Sequence, residues 1–152
     1  MSSYIDTSAL AKWYFPEEGS DAFEAWFQEA DEVWISSLVA LEFRSLVARR
    51  LREKELSAQL AARMLTTFSA DVRGGFLPVR PVEHTHYAVG EQIFEECSDV
   101  ALRTLDALHL AIARSGAADE LVTSDQLMAD AAERLGFMVR FFGRRRKRTG
   151  RR

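Results

Sequence analysis

Apolar positions along this chain alternate between short continuous runs and longer stretches that repeat at the helical period. Ser3-Tyr4-Ile5 predicts a strand ending at Asp6-Thr7-Ser8, and Ala9 to Tyr14 then suits a helix stopped by Pro16, whose ring cannot continue one. From Ser20, the positions Ala22, Phe23, Trp26, Phe27 and Ala30 follow the 3.6-residue period, and Val33-Trp34-Ile35 is a brief β-like run. Ser36 and Ser37 are N-cap candidates for a helix whose stripe is Val39, Phe43, Leu46, Val47 and Leu51. A second helix after Glu55 repeats that logic with Leu56, Leu60, Met64 and Phe68, so the two form a hairpin. Gly74-Gly75 breaks the pattern; Phe76-Leu77-Pro78-Val79 reads as a strand and about Glu83 to Glu96 as a helix. Thr104 to Arg114 is apolar nearly all round, as expected of a helix enclosed by its neighbours, with Gly116 as its C-cap. Leu121-Val122-Thr123 is a strand. The next helix carries Leu127, Met128, Ala131, Ala132 and Leu135 up to Gly136, and Phe137 to Phe142 is a last strand. Repeated strand-then-helix units predict an α/β domain with a mainly parallel sheet covered by helices on both faces, because parallel strands need long crossovers.

Composition changes this picture only at the margins. A chain of 152 residues with 47% hydrophobic content is expected to form one domain with a substantial core. It has no long apolar run and no signal-peptide order at its start, so the expectation is a cytoplasmic protein without membrane contact. The single cysteine, Cys97, excludes an intramolecular disulfide, and three scattered histidines leave no thiolate-rich zinc site, so any bound metal needs oxygen ligands. The formal charge of -3 hides an asymmetry: Arg144, Arg145, Arg146, Lys147, Arg148, Arg151 and Arg152 crowd the C-terminus. The division expected is a catalytic unit over 1–142 and a basic, flexible tail over 143–152, able to touch nucleic acid through phosphates.

Four carboxylates do not fit an exposed polar face. Asp6 ends an apolar strand, Glu42 shares a helical face with Leu38 and Leu46, Asp106 lies within Leu105-Asp106-Ala107-Leu108-His109-Leu110, and Asp125 follows Leu121-Val122-Thr123-Ser124. Taken singly, Asp6 and Asp125 suit helix capping, while Glu42 and Asp106 have Arg49 and Arg103 as possible ion-pair partners. Taken together, the strand ends of a parallel sheet are where ligands bind, and the four could share one pocket there. Two such charges about 4 Å apart repel by roughly 4 kcal/mol at an effective dielectric of 20, so a cluster of anions calls for a cation. Hard oxygen donors suit Mg²⁺ or Mn²⁺, whose retained waters are potential nucleophiles for phosphodiester hydrolysis.

At these residues the sequence resembles PIN-domain proteins, most closely VapC-type toxins of type II toxin-antitoxin pairs. The likeness spans about residues 3 to 142 and is carried in order by Tyr4-Ile5-Asp6-Thr7-Ser8-Ala9-Leu10, Ser36-Ser37-Leu38-Val39-Ala40-Leu41-Glu42, Leu102-Arg103-Thr104-Leu105-Asp106-Ala107-Leu108-His109-Leu110-Ala111 and Val122-Thr123-Ser124-Asp125. The resemblance implies a three-layer α/β/α fold and Mg²⁺- or Mn²⁺-dependent endoribonuclease activity, with Asp6, Glu42, Asp106 and Asp125 lining the metal site. It further implies a homodimer and a cognate VapB-like antitoxin seated in a hydrophobic groove, for which Trp13-Tyr14-Phe15 and the hairpin from Glu42 to Phe68 are candidates, although helically spaced aromatics more often belong to a core.

Ser8 and Thr123 flank the carboxylates and suit cap or turn roles, or the orientation of a ligand. His109 on its apolar helix suits a hydrogen-bonded structural histidine better than a general base, and His84 and His86 mark no site. Two other readings stay open. An Asp-nucleophile phosphatase or receiver domain is suggested by Asp6 after the first strand, but it leaves Glu42 unexplained. A catalytically silent PIN-like module would bind RNA or a protein without cleaving.

Overall fold

In a computed structural model, residues 1–144 are described, and they follow the alternation of the sequence. The elements are β1 (Ser2–Ile5), α1 (Thr7–Tyr14), α2 (Ser20–Glu29), β2 (Glu32–Ser36), α3 (Ser37–Arg52), α4 (Ala58–Arg73), β3 (Val79–Arg80), α5 (Thr85–Glu96), α6 (Thr104–Ser115), β4 (Glu120–Thr123), α7 (Gln126–Arg134) and β5 (Met138–Phe141). All five strands pair in parallel, in the order β3-β2-β1-β4-β5. Parallel strands force a crossover between each pair, and right-handed crossovers put α1 to α4 on one face and α5 to α7 on the other. The result is the expected three-layer α/β/α architecture.

Chain direction reverses its march across the sheet between β1 and β4, whose connections leave toward opposite edges. That switch point opens a crevice at the carboxyl ends of the two strands. Strands this central have both faces covered and read as continuous apolar runs: Tyr4, Ile5, Leu121 and Val122 are wholly buried. On one face Phe43 of α3 meets Tyr14 of α1, its C-cap Phe15, and Phe68 of α4. Phe15 is therefore core, and Trp13 packs on Phe27 and Phe76, as aromatics at helical spacing usually do.

Three expectations change in detail. The strand read at Phe76 to Val79 shrinks to Val79–Arg80, because Pro78 has no N–H to give a ladder and serves only as an acceptor for Ile35 N–H. Leu60 and Leu51 are exposed, at the far edge of their stripes. A third acidic side chain is buried besides Asp6 and Asp106: Glu120, at the amino end of β4 and so away from the crevice, accepts from Ser3 Oγ at 2.9 Å and pairs with Arg140 at 2.9 Å. Among the described residues no helix is long and apolar enough to cross a membrane. The tail read as flexible lies, from residue 145 onward, outside the described residues.

Candidate active site

Asp6 leaves β1 in extended backbone and becomes the N-cap of α1, its Oδ1 accepting from Ala9 N–H at 2.9 Å. Ser8 Oγ donates to the same oxygen at 2.8 Å, and Thr123 Oγ1 at the end of β4 donates to Oδ2. Burial raises the Asp6 pKa, and these three donors together with His109 oppose that rise without cancelling it. Asp125 caps α7 in the same manner, Oδ1 accepting from Leu127 and Met128 N–H. Capping and site placement are thus one arrangement, since a residue at the carboxyl end of a strand that opens a helix faces the crevice by construction.

Asp106 lies at the third position of α6 and accepts the Arg103 backbone N–H at 2.9 Å, which satisfies a donor that the helix start leaves free. The Arg103 guanidinium, itself mostly exposed, contacts Asp106 through Nε at 3.1 Å and reaches Asp125 Oδ2 at 3.5 Å. The expected Arg103–Asp106 pair is present, and one cation bridges two of the four acids.

Glu42 does not pair with Arg49, which makes no ion pair among the described residues. Its Oε2 accepts from Thr7 Oγ1 and, at 2.8 Å, from His109 Nε2 on α6. Burial pushes its pKa up, but the hydrogen bonds and positive charge around it outweigh that, and the carboxyl is held below its ordinary value. His109 is buried, and its Nδ1 lies 2.7 Å from Tyr4 Oη. It is a structural histidine, as expected, but it is also joined to a site carboxylate, a link that no local spacing carries because Glu42 and His109 lie on opposite faces of the sheet.

All four acids line one open cleft of about 440 Å³, together with Thr7, Ser8, Arg49, Arg103 and His109. The donor set is hard oxygen, the chemistry that Mg²⁺ and Mn²⁺ require. Among the described residues no three acidic or imidazole groups stand close enough to share one ion, the acids being held instead by Arg103, His109 and hydroxyl groups.

Comparison with known proteins agrees with this fold. The PIN domain family model matches residues 3–134. Ribonuclease VapC46 of Mycobacterium tuberculosis (strain ATCC 25618 / H37Rv) is 33% identical over 147 residues, covering 90% of this chain and 94% of that protein. The crystal structure of Mycobacterium tuberculosis VapC20, a Sarcin-Ricin loop cleaving toxin, superposes with a TM-score of 0.68 at 16% identity, over 85% of this chain and 94% of that one. A chain of a toxin-antitoxin complex from Klebsiella pneumoniae superposes with a TM-score of 0.52 at 18% identity, over 81% of this chain and 86% of that one.

Proposed function

The chain belongs to the PIN-domain family, among relatives named VapC ribonucleases, and on that premise we propose that it is a Mg²⁺- or Mn²⁺-dependent endoribonuclease whose site is Asp6, Glu42, Asp106 and Asp125. The observation that carries the reading is that acids from β1, α3, α6 and α7, far apart in sequence, line a single cleft at the switch point of the sheet.

A divalent ion bound here would supply a Lewis acid for a phosphodiester oxygen and lower the pKa of attacking water. The protein's part is to hold and orient. Asp6, fixed by Ser8, Thr123 and Ala9 N–H, would ligate from a frame that cannot rotate. Asp106 and Asp125, now bridged by Arg103, would ligate from two helix starts, and Arg103, freed from them, would offer its charge to a phosphate. Glu42 stays ionised, with Oε2 engaged by Thr7 and His109 and Oε1 free of a protein partner among the described residues. In this reading Oε1 would ligate the ion or accept a proton from water. No covalent intermediate is needed.

The reading extends to partners and place. A VapB-like antitoxin is proposed as the inhibitor, by likeness to the toxin-antitoxin complex, together with a homodimeric state and a cytoplasmic site of action. The basic tail from residue 143 is proposed to contact RNA; equal RNA affinity after deletion beyond Phe142 would oppose that.

The test is incubation of the purified protein with total cellular RNA, with Mg²⁺, Mn²⁺ or chelator, beside Asp6→Asn. Discrete cleavage that needs both metal and Asp6 supports the reading. The second reading, a silent binding module, is favoured by the absence among the described residues of three groups close enough to share an ion. It would prevail if neither cleavage nor metal binding were found.

A further inference from the structure

We propose that the wall between the carboxylate cleft and the pocket beside it is a phosphate subsite for the RNA strand, with Arg49 as its cation. The proposal rests on the ribonuclease reading of the cleft and adds the direction in which the strand leaves it. A second hollow of about 450 Å³ adjoins the carboxylate cleft, sharing Ser8, Leu46 and Arg49 as common lining. Four cations line this hollow: Lys12, Arg49, Arg50 and Arg144.

Three of the four already have acidic partners. Lys12 Nζ contacts Glu17 at 3.3 Å and the Glu18 carbonyl at 2.5 Å. Arg50 pairs with Glu17 at 2.9 Å, and Arg144 pairs with Glu18 at 2.8 Å. Arg49 is exposed, and its guanidinium makes no hydrogen bond or ion pair among the described residues, although it lines both spaces. An uncommitted guanidinium beside a cluster of acids has one productive use in a nuclease: to hold the phosphate next to the one being cut, which the acids themselves repel. Ser124 also lines this hollow, and its Oγ is buried without a hydrogen-bond partner among the described residues.

The hollow is also built with care at its far wall. A Cβ on Gly143 would come within 2.4 Å of the Ser124 carbonyl, and one on Gly19, at φ 87°, within 2.5 Å of the Phe142 carbonyl. Glycine at these two points lets the chain after β5 close down on the α1–α2 turn at Gly19 and on the β4–α7 turn at Gly143, with Arg144 lining the hollow beside them.

The experiment measures binding of a fluorescently labelled single-stranded RNA oligonucleotide of mixed sequence by anisotropy. It is run in chelator across about 50 to 200 mM salt, for wild type, Arg49→Gln, Arg49→Lys and Arg63→Gln, the last on α4 and lining neither space. Each phosphate contact contributes about 0.7 to the slope of log affinity against log salt for single strands, so Arg49→Gln is expected to flatten the slope by roughly that amount and to weaken binding several-fold. Arg49→Lys should restore the slope, and Arg63→Gln should match wild type. An unchanged slope in Arg49→Gln, an equal loss in Arg63→Gln, or no wild-type binding at the lowest salt would overturn the subsite. Metal-dependent cleavage of total RNA is scored separately: cleavage with an unchanged slope removes only the subsite, whereas lack of wild-type cleavage removes the ribonuclease reading beneath it.

Discussion

Glu42 is tied back to the N-cap of its own helix by hydrogen bonds that pass through two other elements. Val39 N–H donates to the N-cap Ser36 Oγ, which lies 3.0 Å from Tyr4 Oη; Tyr4 lies 2.7 Å from His109 Nδ1, and His109 Nε2 lies 2.8 Å from Glu42. A carboxylate only accepts, so Nε2 carries a proton, and in the neutral ring Nδ1 then accepts from the Tyr4 hydroxyl, which in turn accepts from Ser36. Tyr4 is fully buried and burial keeps its phenol protonated, so it is a durable donor. Tyr4→Phe strands two buried partners and is expected to cost about 1–3 kcal/mol in chemical denaturation. Loss of the anchor should also lower metal affinity by about 10-fold in calorimetry; a stability loss with unchanged metal affinity would reduce Tyr4 to a packing residue. Asp6 makes the opposite case. Its pKa is raised by burial, so the folded state binds its proton more tightly than the unfolded chain does, and stability falls as pH rises through that folded value. In chelator, Asp6→Asn should therefore melt above wild type at neutral pH, with the gap closing as pH drops toward the ordinary carboxylate range. A gap that stays constant with pH would show that ionisation is not its cause.

Helix α6 shows how an element can be read correctly for an incomplete reason. Its unbroken apolar character predicts enclosure, and every residue from Asp106 to Ala113 is buried. Gly116 caps it as expected, yet its φ of −80° is open to any residue, and the left-handed position falls to Ala117 instead. Glycine is required at 116 for space: a Cβ there would lie 2.5 Å from the Trp34 ring, which is buried and also covered by Arg80 at 3.9 Å. Gly116→Ala should cost about 1–3 kcal/mol through overpacking, read as a lower melting temperature, and an unchanged melting temperature would mean that Trp34 moves aside freely. Sequence periodicity reports which face of an element is buried but not which neighbour arrives there. That is why the enclosure of α6 was legible and the contact with Trp34 was not. The same limit explains β3, where an apolar run promised a longer strand than Pro78 allows.

At the scale of the molecule, the carboxylates are legible in the sequence as misfits and as a set that could share one pocket at the strand ends, while the strand order that would join them is not. Placing β1 beside β4 brings Asp6 and Asp125 together; the two faces then deliver Glu42 from one side and Asp106 from the other. An ion held by all four would join both helical layers across the sheet, so its binding free energy would act on the whole fold rather than on one loop. At about 100 times its dissociation constant, such a ligand adds about 2.7 kcal/mol, which for a chain of this size is a rise of roughly 5 to 10 °C in melting temperature. Wild type is expected to show that rise with Mn²⁺ and to lose it with chelator. Asp6→Asn and Asp106→Asn, which remove acids from opposite sides of the switch point, should each abolish most of it while leaving a cooperative transition. A rise that survives in both variants would place the ion elsewhere, and one that survives in Asp106→Asn alone would confine it to the Asp6 side of the cleft.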